Sequence, residues 1–461
     1  MKNNILFKLS GFFRYILVLF LALSTSSFAQ VQQSTPSGDQ YTFSLKEAID
    51  YALRHQSTVL NSRIDEQIAD QRIRGTLGTG LPQVTGSGEF DDYVASPVII
   101  FPGSIISALT GHPAPDAAVS FQKHYQTTLG INANQMIFDG TFLVGLQGAK
   151  TYASLSRKVE KSNEIDLVAN VTKAFYGVKI NETNLAALDS SIGLLQKSLD
   201  DTKAMYAQGF VEKLDVDRIT VTLSNLQSQR QNLRSVVDLN YYLLKFQMGM
   251  PVNASLTLLG NIPSEFQAPV IETAEYDKRI EYAILKTNRD LDMINVRLNK
   301  SGYLPKLSAF GSLSTAALRD QFDVFDARGH WYPTGLIGLR LSVPIFDGFQ
   351  KDASIKQANM ALLQNQNDVN NFENTVDLQV KQASISYESS YKILQSQKAN
   401  LALAEDVAKV TKIKYEDGVG TNLEVTDAES ALIQAQNNYY NALYNLGIAH
   451  VDLQKAKGIL Y

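Results

Sequence analysis

The chain is written twice. Leu81-Pro82 recurs as Leu304-Pro305, and Phe138-Asp139-Gly140 recurs as Phe346-Asp347-Gly348. The stretch from Tyr206 to Val216 (YAQGFVEKLDV) recurs as Tyr415 to Val425 (YEDGVGTNLEV). Order and approximate spacing of the three marks hold in both copies. A unit repeated on one chain places its copies at equivalent positions of a pseudo-symmetric object, here a ring.

Each copy has the same grammar of helix, strand pair, very long helix, tight turn and helix. The first occupies 44–249, and 273–461 holds the second, with 250–272 between them as a linker. A helical pattern opens at Ser44, an N-cap with Glu47 three residues on, and runs through Ile49, Leu53, Leu60, Ile64 and Ile68 to about residue 77. The period then falls to two. Val84, Gly86, Gly88 and Phe90 alternate with Gln83, Thr85, Ser87 and Glu89, and Leu129, Ile131 and Ala133 alternate with Gly130, Asn132 and Asn134. In the second copy Ile337, Leu339, Leu341 and Val343 alternate with Gly338, Arg340 and Ser342. This predicts four strands, over about 82–93, 126–138, 305–314 and 334–346, each of a length that crosses a bilayer when tilted. Tyr93, Tyr125, Trp331 and Tyr332 stand near strand ends, where an interfacial aromatic belt belongs. The connections at 94–124 and 314–333 read as long loops, the second carrying Asp320, Asp323 and Asp326.

Proline-free long helices are expected over about 141–207 and 349–417, with returning helices over about 214–248 and 423–457. At about 1.5 Å per residue each long helix reaches about 100 Å, the summed length of the two shorter helices flanking it. One copy therefore makes two helical columns and the chain makes four. Four strands enclose no lumen, and open strand edges cannot face lipid. Three chains would supply twelve strands and twelve columns.

Residues 1–29 read as a signal peptide: Lys2, Lys8 and Arg14 flank the apolar run 15–23, and Ser27-Phe28-Ala29 offers a cleavage site before Gln30. Residues 30–43 read as a flexible lead-in. Loss of the three cations leaves 39 Lys and Arg against 46 Asp and Glu, a net charge of about −7. That balance argues against a nucleic-acid partner. There is no Cys, hence no disulfide and no lipoprotein cysteine. The five His have no ligand spacing, and neither a phosphate-binding glycine loop nor a nucleophile motif is present, so no enzyme, metal site or cofactor is expected.

The two helix-to-helix turns stand apart. Each sets a Tyr, a Gly three residues on and an acidic residue six beyond the Gly. The Gly can end the first helix in a left-handed conformation. Asp215 and Glu424 then fall in the first turn of the returning helix, where the macrodipole favours an anion. Asp427 shares a helical face with Glu424. In a trimeric tube that face would repeat as stacked acidic rings across an aperture.

On these marks the chain resembles the TolC-type outer-membrane factor family over essentially all of its length beyond the leader. The resemblance implies a mixed α/β membrane protein. It would be a homotrimer, with a twelve-stranded barrel in outer-membrane lipid continued by a twelve-helix α-barrel in the periplasm. It also implies a passive exit duct, working with a periplasmic adaptor protein and an inner-membrane pump. Residue by residue, Tyr415 matches the gate tyrosine, Glu424 and Asp427 the acidic ring positions, and Asp215 the first-turn aspartate. Gly420 falls where the family pattern has a linking arginine, leaving Tyr415 without a charged partner or served by Lys213 or Lys414. The turns at Gly209, Phe210 and Val211 and at Gly418, Val419, Gly420 and Thr421 match the adaptor-docking tips. The expected function is the outer-membrane duct of a tripartite efflux pump. The alternatives are the duct of a type I protein secretion system and, from another class, a periplasmic coiled-coil scaffold.

Overall fold

The computed structural model describes residues 40–260, 266–268, 275–323 and 329–461. The expected signal peptide, residues 30–39 of the lead-in, Pro263, Pro269 and Asp326 lie outside them. The chain divides into two units. The smaller comprises Met1–Tyr41 with Asn253–Thr257. Its described residues hold ends of two short strands, β1 (Gln40–Phe43) and β6 (Ser255–Leu258). The larger unit, Thr42–Val252 with Leu258–Tyr461, carries the long helices and the main sheet.

The larger unit opens with α1 (Leu45–His55), held by a reciprocal cap: the Ser44 N–H donates to Glu47 Oε2 at 2.8 Å, and the Glu47 N–H to Ser44 Oγ at 3.4 Å. The single helix expected to run on to about residue 77 is in fact two. Gln56 turns extended (φ −71°, ψ 126°), and its side-chain oxygen accepts from the Thr58 N–H to start α2 (Ser57–Thr79). A residue that caps a new helix cannot also continue the old one.

Strand β2 (Gln83–Asp92) follows. The segment 94–124, expected to be loop, instead holds a hairpin of β3 (Ile99–Phe101) and β4 (Ala117–Val119) around the short helix α3 (Gly103–Thr110). The Gly103 N–H donates to Asp116 Oδ1 at 2.7 Å across the base of this excursion. Then come β5 (Tyr125–Phe138), α4 (Gly140–Ala207) and α5 (Lys213–Gln247). The second copy supplies α6 (Ile280–Ser301), β7 (Lys306–Arg319), β8 (Tyr332–Ser342), α7 (Gln350–Glu416) and α8 (Asn422–Lys457). Strand β7 runs five residues past the expected end near 314, and β8 stops four short of 346. Helices α4 and α7 have 68 and 67 residues, about 100 Å each at about 1.5 Å per residue.

The strand-to-helix junctions differ between the copies. Asp139 caps α4 by accepting from the Thr141 N–H at 2.8 Å. At the second junction Gly348 and Phe349 are both left-handed (φ 65° each), and Asp347 Oδ2 accepts from the Lys351 N–H at 3.1 Å. Phe349 is the one non-glycine residue with positive φ among the described residues. Side chains rarely adopt that conformation, so strain sits at this corner.

The four long strands form one antiparallel sheet in the order β2-β5-β7-β8. The register sorts its two faces. Val84, Ile131, Leu313, Ile337, Leu339 and Leu341 lie on one, through pairs such as Ile131↔Leu313 and Gly311↔Ile337. Thr85, Ser87, Glu89, Asn132, Asn134, Ser312, Ser314 and Arg340 lie on the other. The apolar face is bare: Ile337 is 90 % exposed. Among the described residues β2 and β8 each have one partner strand, so both sheet edges are open.

Helices pack alongside one another in the remainder of this unit. Leu188, Leu195 and Leu199 of α4 close on Ile219, Leu223 and Leu226 of α5 and on Ile433 of α8. A second cluster sets Val376 and Val380 of α7 against Ala456 of α8. Beside it Arg279, 6 % exposed, pairs with Glu281 at 3.0 Å and donates to the Ala456 carbonyl at 2.9 Å.

Candidate functional site

The site is built where α4 turns into α5 and α7 turns into α8. Helix α4 ends on Gly209 (φ 82°), with the Phe210 N–H donating back to the Met205 carbonyl at 3.0 Å. Helix α7 ends on Gly418 (φ 72°), with the Val419 N–H donating to the Lys414 carbonyl at 3.0 Å. In both turns a glycine supplies the left-handed residue and a following N–H satisfies a carbonyl left over at the helix end. The returning helices start on side-chain caps. Asp215 Oδ2 accepts from the Glu212 N–H at 3.3 Å, and the Glu424 N–H donates to Thr421 Oγ1 at 3.3 Å.

The fold brings the two turns together, although the residues that touch, Asp215 and Asn422, are 207 apart in sequence. They share a hollow of about 550 Å³ whose lining includes Gly209, Phe210, Asp215, Arg218, Tyr415 and Thr421. A hydrogen bond crosses between them, with Asn422 Nδ2 donating to the Asp215 carbonyl at 3.2 Å. The Tyr415 hydroxyl reaches Met205 Sδ at 4.0 Å, a weak donor-to-sulfur contact. Glu424 and Asp427 are exposed on α8 and do not line the hollow. Phe210 and Val419, each 76 % exposed, project an apolar side chain from each tip.

Among the described residues, Asp215, Glu424 and Asp427 form no ion pair within the chain, and neither Lys213 nor Lys414 is joined to Tyr415. Gly420 accounts for part of that geometry. A Cβ built on it would stand 3.1 Å from the Tyr415 nitrogen and 3.2 Å from Lys414 Cβ. The turn folds back against its own helix there, so a long basic side chain at 420 requires the backbone to shift.

Sequence reasoning missed Asn422 and Thr426. Both are buried (5 % and 8 % exposed), and Thr426 Oγ1 donates to the Asn422 carbonyl at 2.9 Å. The available signal was two polar residues on the stripe that continues through Val425 and Ile433. Farther along α8, burial pushes the Glu429 carboxyl above the usual range, and the charge of Lys412 opposes this only in part.

The protomer is thus an antiparallel sheet with one bare apolar face, joined to helices about 100 Å long that end in paired tip turns. The family model for outer membrane efflux proteins matches residues 286–458. The outer membrane protein TolC of Vibrio cholerae is 21 % identical over 336 residues, covering 72 % of this chain and 76 % of that protein. The alkaline protease secretion protein AprF of Pseudomonas aeruginosa is 22 % identical over 345 residues, 73 % of this chain and 70 % of its own. The solved CmeC outer membrane channel of Campylobacter jejuni superposes with a TM-score of 0.71 at 15 % identity, over 90 % of this chain and 86 % of that one. In sequence and in fold the chain resembles outer-membrane factors of the TolC type.

Proposed function

We propose that the chain is one third of a passive exit duct across the outer membrane. Three copies join β2 of one to β8 of the next, giving a twelve-stranded barrel whose apolar face meets lipid. Their long helices continue it as a periplasmic tube. The observation that carries this reading is the sheet, with an apolar face, an opposite polar face and two open edges. Such edges are viable in lipid only when closed on further strands. A periplasmic scaffold has no use for the bare apolar face.

Solutes would move down the tube without chemistry on the wall, driven by an inner-membrane pump coupled through a periplasmic adaptor. The adaptor would dock on the tips, where Phe210 and Val419 supply apolar anchors beside Gly209, Val211, Gly418, Gly420 and Thr421. Tyr415, Asp215, Glu424 and Asp427 would form the gate. With Gly420 in place of a basic residue, closure would rest on the contact between turns and on the acidic face, not on an ionic lock. The matched family description favours efflux as the process served, and the likeness to AprF keeps protein secretion as the second reading.

The decisive measurement is the mass of the detergent-solubilised particle. Three chains of 50.9 kDa, less their leaders, are expected; a lone polypeptide defeats the reading. For the gate, Glu424→Ala with Asp427→Ala should raise single-channel conductance and weaken block by divalent cations. Unchanged conductance and block would defeat the gate assignment.

A further inference from the structure

The polar face of the sheet carries few charges, and they are segregated. Nearest the helices is Lys306, whose Nζ is 3.0 Å from Asp139 Oδ2 and so neutralised. Next comes Arg340, opposite Ser308. Glu89 and Asp91 lie toward the far end, in the rows of Thr128 and Gln126. Through the register Glu89 shares its row with Tyr332, eight residues along β8 from Arg340. At about 3.3 Å per residue that is about 26 Å, beyond a Debye length of about 8 Å in physiological salt. Among the described residues Arg340 has no carboxylate partner in its own chain.

What Arg340 does have is an aromatic seat. Its guanidinium carbon lies 5.0 Å from the centroid of the Phe310 ring. Phe310 pairs directly with Gly338, and a Cβ on Gly338 would stand 2.8 Å from Phe310 Cζ. The ring therefore fills the space that any side chain at 338 would take. Phe310 is one of few large apolar side chains on this face. Glycine makes room for the ring, and the ring holds the guanidinium with its charge intact.

Resting on the duct reading, we propose that Phe310, Gly338 and Arg340 form a selectivity element. In three copies they make a cationic collar inside the barrel, at its helical end, that favours passage of small anions over cations. The outer acidic rows act in series with it and in the opposite sense. Fixed charges in a ring set the local counter-ion concentration, so a collar of three guanidinium groups acts on permeability more than on affinity.

The test is the reversal potential of purified trimers in planar bilayers under a KCl gradient. Arg340→Gln is expected to lower the chloride-to-potassium permeability ratio by about twofold or more, and Arg340→Lys to retain it. Glu89→Gln should move the ratio the other way. Conducting Arg340→Gln channels with an unchanged ratio overturn the collar alone, and they do so equally if that variant also loosens the trimer, which would assign Arg340 to the seam between copies. Wild-type protein with no conductance at all overturns the duct reading and the collar with it.

Discussion

The sharpest perturbation of the sheet is Ile337→Arg. Ile337 is the middle residue of β8, directly opposite Gly311, and 90 % of it is exposed on the apolar face. If that face meets lipid, residue 337 lies near the bilayer midplane, where an arginine costs about 2–4 kcal/mol in a transmembrane barrel. Even the lower figure is roughly a thirty-fold shift in equilibrium constant per chain. In a three-chain assembly the cost is incurred three times, about 6–12 kcal/mol in all. The matched control is Ser312→Arg. Ser312 is opposite Leu336, one row from Ile337, on the polar face. There the new guanidinium would project into water and cost little. The assay is the fraction of protein that stays with the membrane after alkaline washing and needs detergent for release. Ile337→Arg should lose most of that fraction while Ser312→Arg keeps it. Equal retention of the two variants would refute the assignment of faces and the barrel built on it.

Three further outcomes follow from the helical region. Asn422→Ala removes the hydrogen bond between the tip turns at a cost of about 1 kcal/mol per chain, so tip amides should exchange faster and channels should open more often; unaltered exchange at both turns would show that the bond does not couple them. Burial alone would raise the Glu281 carboxyl, but the hydrogen bonds and charge of Arg279 outweigh it and hold it below the usual range. That stabilisation is present above the ordinary glutamate value of about 4.3 and fades as pH falls through the lowered one, so Arg279→Ala should cost about 3–5 kcal/mol at pH 7 and flatten the acid limb of a stability profile. Glu429 has the opposite sign: its raised value means stability falls as pH rises above about 4.3, so Glu429→Gln should raise the melting temperature at pH 7 and gain nothing in acid.

Period and repetition made much of the fold readable from residues alone. The alternation around Ile131 and Ile337 marks strands because a two-sided sheet leaves that trace, and the absence of proline in the long helices marks their length. What escaped was decided by local competition or by distant contact. Gln56 is an unremarkable helix former until its side chain turns to cap the next helix. The hairpin within 94–124 is tied by Asp116 to the Gly103 N–H, a bond that leaves no periodic trace. At the tips the glycines and acidic residues announced themselves by recurring. Asn422 did not, because its partner is a carbonyl on the other turn, and Met205 did not, because its role is only to be near Tyr415. The left-handed Phe349 has no sequence signal, since the same Phe-Asp-Gly triplet makes an ordinary cap in the first copy.

The bare borders of the sheet have a consequence for the life of the protein before it works. A newly exported copy carries two rows of unsatisfied amides and carbonyls beside a greasy surface. On the proposed duct reading such a molecule finds its missing strand partners only in its siblings, so maturation and assembly become a single event, governed by local abundance. Slow synthesis should then favour loss by degradation, and a burst of synthesis should favour misjoined clumps, with yield greatest between the two.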